Sequence, residues 1–576
     1  MKNVLSNIVE KIKTKRSIHY VIIIIIGLLV SIPFFWVQIC PSDDGAYHFL
    51  RIIGLDFAIK NGEFPYLVYP FFCSDWGYSM ATFYPQIVTY IPYILGLIAG
   101  SFMNGLKIFS ALTVILSGVF MYNFVNEVTK KKGIALLSAI IYMILPYRFE
   151  NVFNRYAIGE FTAFVFIPLV FQGLYNLLKG DKKRHYYIAI GAIGLILTHT
   201  ISTLYTAIFC VVYILFNIKS FWNKDVIKKC FINLIFILLI SALYLIPVIE
   251  FESTAKYAIF DSRMMRTNGT RVSESAIEPW QFLKDIGEEN GVSFIIGIPF
   301  LTMLVIGILV YGKLDKKTKD FYIVNLILGL IALFMCTKYF PWRIMPDFLC
   351  TLQYPWRMLG IGLFFLTPLC AINVYYLVKL IKNEWIRNIV YLVVFIILAI
   401  FTVMELQAYP NKNLRIDELY ESSIKNNPRI SCFGVNRDNL PVKTMLDQDY
   451  LKTRTDETYV INGQIEIVYE EKDGLHLVMD FKNAQKGTEL ELPYFLYPGY
   501  AITLDTGNEI IKLEAEESDH GFIKVTIPED ISEGKITVDY TGTTLEKASY
   551  IISAISVIGF VAYIVWYRKR LNKNEE

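Results

Sequence analysis

The feature that most constrains this chain is a run of apolar residues from Ile18 to Ile39, preceded by Lys11, Lys13, Lys15 and Arg16. A bilayer core about 30 Å thick needs about 20 apolar residues in a helix, and this run meets that length. It ends in bulky aromatics, Pro33-Phe34-Phe35-Trp36, not in small residues. A secretory signal has a shorter apolar core and a small-residue cleavage site. The run therefore predicts an uncleaved membrane helix with its N-terminus in the cytoplasm.

Further apolar runs cover 104–126, 133–149, 157–178, 186–200, 202–218, 231–249, 291–312, 320–337, 355–378, 388–408 and 549–567. Together they predict an all-α polytopic membrane protein of about 11–13 transmembrane helices. Composition agrees: 54% hydrophobic and 19% charged residues, against about 45–50% and about 25% for soluble domains. Lysine and arginine clusters at 130–132, 182–184, 224–229, 313–319, 379–387 and 568–570 fall in alternate loops. The positive-inside rule places them in the cytoplasm together with both termini, as in a multi-pass plasma-membrane protein. The loops around Arg155 and His199, and segments 250–290, 338–354 and 409–548, then face outward. A net charge of +3 gives no reason to expect nucleic acid.

Residues 83–101 break this parity. Pro85 and Pro92 would interrupt a regular helix, so the segment reads either as a re-entrant or interfacial element or as an ordinary span. Residues 40–82 form a first outer loop within a membrane domain, 1–408. Segment 409–548 alternates apolar and polar residues in QIEIVYEE, LHLVMDF, TELELPYF, NEIIKLEAEE, GFIKVTIPE and KITVDYTG. Turn residues separate these runs, which predicts an extracytoplasmic β-sandwich. Residues 549–576 supply a last helix and a basic tail. Cys40, Cys73 and Cys432 fall on the outer side and leave room for one disulfide.

Chemistry concentrates directly after the first helix. Asp43 and Asp44 are adjacent carboxylates at the membrane surface. In a helix over 45–60, Asp44, His48 and Arg51 recur at i, i+4 and i+7 on one face. Such a set can remove a proton from a hydroxyl while Arg51 or His48 pairs with phosphate. The plain alternative is an N-cap, because Asp before a helix accepts backbone N–H bonds; on residue types alone the cap is favoured. Elsewhere on the outer face, Arg148 and Glu150 end one span, and Arg155 and Glu160 open the next. Arg155 could hold a phosphate with Glu160 orienting it, or the two could be a structural pair. His199 lies between two spans and is a weaker candidate than His48. Arg343 reads as an interfacial anchor; Arg357, with Gln353 just before it, is the better phosphate candidate. The charged loop 250–290 is long enough for a lid, although such loops are commonly just solvated. A divalent cation, Mg or Mn, on Asp43, Asp44 and Glu160 stays open, since the spacing does not demand one.

Ordered motifs extend the reading. The chain has Ser42-Asp43-Asp44-x2-Tyr47-His48-Phe49-Leu50-Arg51, then Gly62-Glu63-Phe64-Pro65, Gly77-Tyr78-x4-Phe83-Tyr84-Pro85 and Tyr90-Ile91-Pro92. Later come Arg155-Tyr156-x3-Glu160, Leu352-Gln353-Tyr354-Pro355-Trp356-Arg357 and Tyr497-Pro498-Gly499-Tyr500. This order resembles the GT-C superfamily of polytopic glycosyltransferases. More closely, it resembles a bacterial membrane-protein family labelled "6-pyruvoyl-tetrahydropterin synthase-related". The label does not suit the chain as an activity, because a water-soluble zinc enzyme needs His-rich ligands and the sequence has six His. Where that family has a D-G turn, this chain has Asp505-Thr506-Gly507.

The resemblance implies a GT-C-like membrane domain and an Asp after the first helix acting as base or metal ligand. It also implies a polyprenyl-phosphate-linked sugar as donor and a cell-envelope acceptor on the outer face. Asp44 matches the family's D-x3-H spacing, with Asp43 as alternate. The expectation is a membrane glycosyltransferase; the alternative is a non-enzymatic carrier or assembly factor for lipid-linked envelope polymers.

Overall fold

The structure is a computed structural model. It describes residues 16–36, 39, 42–62, 64–65, 67–70, 72–265, 267–283, 293–407, 421–422 and 437–573. Among them, seven helices are long and apolar enough to cross a membrane, or up to nine if each of two bent pairs counts as one span. The protein is thus a multi-pass membrane protein. The expected 11–13 spans are not all met as single long helices, because several apolar runs are broken. The run over 133–149 divides into Lys132–Met143 and Pro146–Asn154, bent by 43°. The run over 231–249 divides at Ser241 into Lys224–Ile240 and Ala242–Thr254, bent by 65°. The run over 291–312 forms three short pieces from Ile298 to Lys313.

The segment 83–101 contains one helix, Ile87–Ala99, of 13 residues. At 1.5 Å per residue it spans roughly 20 Å, short of a bilayer core. Pro92 lies inside this helix, not at a break, a correction to the expectation that both prolines interrupt it. Gly100, in the left-handed region at φ 71°, ends the helix, and Ser101 caps the next one, Phe102–Thr129.

Burial sorts the spans. In Ile158–Leu178, 94% of the apolar window is buried within the protein, and in Pro355–Lys379 83%, whereas Glu384–Leu406 and Thr544–Arg570 reach only 11% and 17%. The first two form the centre of the bundle; the last two present their side chains outward. The charged residues Glu160 and Arg357 sit at the ends of the two central spans.

The C-terminal region forms two antiparallel sheets. One has the order β1-β4-β8-β7, from Tyr459–Asn462, Glu489–Phe495, Phe522–Thr526 and Glu516–Glu517. The other has the order β2-β3-β9-β5-β6, from Glu466–Asp473, His476–Ala484, Ile531–Tyr540, Tyr500–Asp505 and Ile510–Leu513. All six expected strand segments are present, and β1 and β5 are additional. In β3, Leu477, Met479 and Phe481 face a common core with Leu490 and Leu492 of β4 and Ile536 and Val538 of β9.

That core also takes in the first loop. Leu67, Val68, Tyr69, Phe72, Trp76 and Tyr78 belong to it, as does Leu50 of the Gly45–Lys60 helix. Trp76 meets Phe495 and Phe522 edge-on, and its carbonyl accepts from Phe495 N. Segment 250–290, weighed as a lid, is docked in its first part: Tyr257 stacks on Tyr497, its hydroxyl donates to Leu496 O, and Ala258 N donates to Leu440 O. Cys73 is buried, while Cys40 and Cys432 lie outside the described residues.

Candidate functional site

The aspartate loop is built for close approach. A Cβ on Gly45 would strike Ile39 O and Ser42 Oγ, so glycine is required at that turn. Two backbone bonds then seat the loop against the segment before the Ile158–Leu178 helix: Asp43 N donates to Asn154 O at 3.3 Å, and Asp44 N to Arg155 O at 2.9 Å. The Gly45–Lys60 helix forms as expected, with Asp44 in the N-cap position, but the Asp44 side chain makes no capping hydrogen bond. The N-cap reading favoured on residue types is therefore overturned. Among the described residues the charges acting most strongly on the Asp44 carboxylate are Arg155 and Arg357. Burial pushes the Asp44 pKa up, with the two arginines opposing, and Asp43 is likewise raised by burial.

Behind Asp44 lies a buried ion cluster. Arg155 donates to Glu160 at 2.9 Å, with side chains 6% and 1% exposed. The same nitrogen donates to Asn151 Oδ1, and the guanidinium lies 4.6 Å from the Trp356 ring centroid. Arg357 Nε approaches Glu160 at 3.7 Å, while Arg357 NH1 donates to Leu352 O at 2.9 Å and Gln353 Oε1 at 2.8 Å. The Tyr147 hydroxyl donates to the other Glu160 oxygen. Burial works against the Arg155 charge, but Glu160, Tyr147 and Asp44 outweigh it and its pKa is raised.

The backbone on both sides is unusual. A π-turn over Glu150–Asn154 precedes Arg155, and Tyr156 has φ 50°. Gln353, just before the Pro355–Arg357 turn, has φ 64°. Left-handed backbone at non-glycine residues costs of order 1 kcal/mol or more and clusters at functional sites. Here it flanks both arginines.

Not every predicted residue joins the cluster. Arg51 faces elsewhere: its NH2 donates to Tyr84 O and Pro85 O at 3.1 and 2.9 Å, and its guanidinium lies 4.4 Å from the Tyr84 ring centroid. The expectation that it faces a phosphate is corrected on this ground; it fixes the 84–85 turn. His48 is buried, 3.5 Å from Arg51 and edge-on to Tyr84. Burial and Arg51 hold its pKa well below the usual range, which keeps the imidazole neutral. His199 caps the Thr200–Phe216 helix, its Nδ1 accepting from Ser202 N at 3.2 Å. The ring is held close to the cluster: a Cβ on Gly159 would crowd Tyr84 Oη, Thr198 O and His199 Cδ2. Gly159 N donates to the Tyr84 hydroxyl at 3.1 Å, joining the first loop to this helix start. Arg343 is exposed, as suits an anchor.

Tyr147, Asn151, Tyr84 and Trp356 are site residues that the sequence reading did not single out for themselves. Trp356 carried a signal as the neighbour of Arg357; an aromatic such as Tyr147 at a span end reads only as interfacial. Arg148 is fully buried and donates to Ser117 Oγ at 2.9 Å and Thr113 Oγ1 at 3.2 Å. Among the described residues no group of three or more His, Cys, Asp or Glu side chains could hold a metal ion. Glu160, counted as a possible ligand with Asp43 and Asp44, is engaged by Arg155 and Tyr147 instead.

No family model matches the chain. An uncharacterized protein of Lactococcus lactis subsp. cremoris (strain MG1363) is 23% identical, over 98% of both chains. Among solved structures, the mycobacterial arabinofuranosyltransferase AftD aligns with a TM-score of 0.43 at 12% identity, covering 76% of this chain. This chain spans only 29% of AftD. The oligosaccharyltransferase AglB of Archaeoglobus fulgidus, solved with an inhibitory peptide and a dolichol-phosphate, aligns at 0.39 and 14% identity, over 76% of this chain and 60% of AglB. At scores this low, function rests on the residues themselves.

Proposed function

We propose that the chain is a membrane glycosyltransferase of GT-C type, moving a sugar from a polyprenyl-phosphate-linked donor to a cell-envelope acceptor on the outer face. The observation that carries this reading is the placement of Asp44: a half-buried carboxylate, free of capping duty, seated by backbone bonds beside two buried arginines. In this reading Asp44 is the base that takes the proton from the acceptor hydroxyl. Arg155 and Arg357 stabilise the negative charge that develops on the leaving phosphate. Glu160 and Tyr147 hold the arginines, and Gln353 holds Arg357. His48, Arg51 and His199 act as positioning residues. The order of motifs from Ser42 to Tyr500 supports the same class.

The domain reading that accompanies this proposal has a membrane domain over 1–408, a β-sandwich over 409–548 on the outer side and a last helix over 549–576. Its setting is the plasma membrane, with both termini in the cytoplasm, as the lysine clusters suggest. The sandwich and the first loop, which share a core, would then roof the Asp44 side of the bundle.

The test is incubation of purified protein with labelled polyprenyl-phosphate sugars. Wild type should consume a donor, while Asp44→Asn should lower turnover by about 10³-fold or more with normal expression and membrane insertion. Full activity of the Asp43→Asn, Asp44→Asn double variant would sink the proposal. Retention of the donor lipid without turnover by wild type favours a carrier. Addition of EDTA decides whether Mg or Mn on Asp43 and Asp44 contributes, because the arginine reading expects no loss.

A further inference from the structure

The far end of the same central helix carries a second polar site. From Glu160 to Tyr175 the Ile158–Leu178 helix runs roughly 22 Å at 1.5 Å per residue. There a cavity of about 400 Å³ opens between the ends of Ile158–Leu178, Thr200–Phe216 and Lys316–Cys336. Lys179, Lys316 and Lys317 line it, with Asp320 as the one carboxylate in the wall. Among the described residues none of the three lysines makes an ion pair, and Lys317 Nζ lies 5.9 Å from the Tyr175 ring centroid. The neighbouring Asp315 is already engaged by Lys131 at 2.6 Å and by the hydroxyl of Tyr376 at 2.9 Å, and it caps the Lys316–Cys336 helix through Thr318 N. Positive charge is therefore left over, three lysines against the one carboxylate in the wall.

A second observation points to a ligand. Tyr175 is 3% exposed and lines the cavity, and its hydroxyl has no hydrogen-bond partner among the described residues. A buried hydroxyl without a partner costs free energy unless something entering the cavity accepts its proton. The remaining wall is aromatic and apolar, with Tyr213 and Phe321. Lysines supply point charges suited to phosphate oxygens, and the aromatic wall suits an apolar body attached to them.

We propose that this cavity binds a phosphate group carried on an apolar body. Lys179, Lys316 and Lys317 neutralise the phosphate, and the Tyr175 hydroxyl donates to it. The site is separate from the Asp44 cluster and stands whether or not the chain transfers sugar. An anionic lipid headgroup and a soluble phosphate compound both carry that chemistry, and the experiment separates the two.

Full-length protein in detergent micelles is offered phosphatidylglycerol or phosphatidylcholine, and the retained lipid is measured by native mass spectrometry. Wild type should retain phosphatidylglycerol preferentially. The Lys179→Gln, Lys316→Gln, Lys317→Gln variant should retain it about tenfold less, and the corresponding triple arginine variant should restore it. Tyr175→Phe should weaken retention about threefold. Displacement of the lipid by millimolar inorganic phosphate would assign the site to soluble phosphates; lipid that stays bound would assign it to headgroups. Equal retention by wild type and a triple glutamine variant that elutes as a monodisperse, helical protein would overturn the proposal. So would a wild type that neither prefers phosphatidylglycerol nor binds inorganic phosphate.

Discussion

Two buried arginine–glutamate clusters in this molecule invite comparison. In the β region, Arg454 Nε donates to Glu491 at 3.1 Å, with side chains 0% and 2% exposed. Its NH1 donates to Thr455 O and Glu457 O at 2.6 Å each, and its NH2 to Glu491 O at 3.3 Å. One cation meets one carboxylate, and all three nitrogens are used. In the membrane domain, two arginines share the single carboxylate of Glu160, and Arg357 Nε is buried without a hydrogen bond. In the first arrangement four of the five N–H donors are engaged. The second keeps positive charge in reserve, with Asp44 half-buried beside it. Incomplete saturation alone is not the mark, since Arg51 and Arg148 also carry a buried Nε without a hydrogen bond; what sets the Glu160 cluster apart is the Asp44 carboxylate beside it.

The sharpest break of this comparison is to remove each carboxylate. Taking one partner from a buried pair costs about 3–5 kcal/mol, so Glu491→Gln and Glu160→Gln should each lower thermal stability by a similar amount. Activity per folded molecule separates them. Glu491→Gln should transfer sugar like wild type once folded, whereas Glu160→Gln should lose nearly all transfer because both arginines lose their anchor. Equal activity of the two variants would show that the membrane cluster is as structural as the β one.

Arg357→Gln sharpens the contrast with a smaller change. Loss of one fixed donor to a developing negative charge costs about 10²–10³-fold in rate, and kcat/KM should fall by that order. Thermal stability should fall as well, since Arg357 leaves Leu352 O and the Gln353 side chain without their donor and Glu160 with one cation fewer. Arg454→Gln should cost stability and not rate. A purely structural Arg357 would make the two variants alike in a thermal melt and in turnover.

These clusters also show what could be read from the residues in order. Asp44, Arg155, Glu160 and Arg357 stood out because ions are rare at the ends of apolar runs, and the fold brings these four together. Arg51 stood out for the same reason and was misplaced. Helical spacing assigns it a face but not what that face meets, and it meets the carbonyls of Tyr84 and Pro85. Tyr147 reaches Glu160 across a turn whose π-geometry has no local signature. The same divide holds in the fold. Apolar runs announced the spans, because the bilayer sets their length, but the bend at Ser241 between Lys224–Ile240 and Ala242–Thr254 is a matter of packing. Strand β5 turns Ile502 and Leu504 inward, but the alternation is short and follows directly on Pro498-Gly499, so it carries little signal of its own.

The smallest expected effect is a displacement along the pH axis. Burial raises the Asp44 pKa above its ordinary value of 3.8, while Arg155 and Arg357 hold it down. A base must be ionised to act, so transfer should fall as pH drops through that raised pKa, and the acid limb should lie above the value of about 3.9 for a free aspartate. Removing a positive neighbour raises the pKa further. The acid limb of kcat/KM in Arg357→Gln should therefore move to higher pH, whereas Arg454→Gln, remote from Asp44, should leave it in place. The same shift has a sign in stability. An acid whose pKa is raised by folding binds its proton more tightly in the folded state, so ionising it costs stability as pH rises through the shifted pKa. Asp44→Asn should consequently be no less stable than wild type at pH 7 and should lack the part of the stability loss across the acid limb that Asp44 contributes, as seen by comparing melts of the two proteins at pH 4 to 7. An Asp44→Asn variant that melts well below wild type at pH 7 would return Asp44 to a structural role.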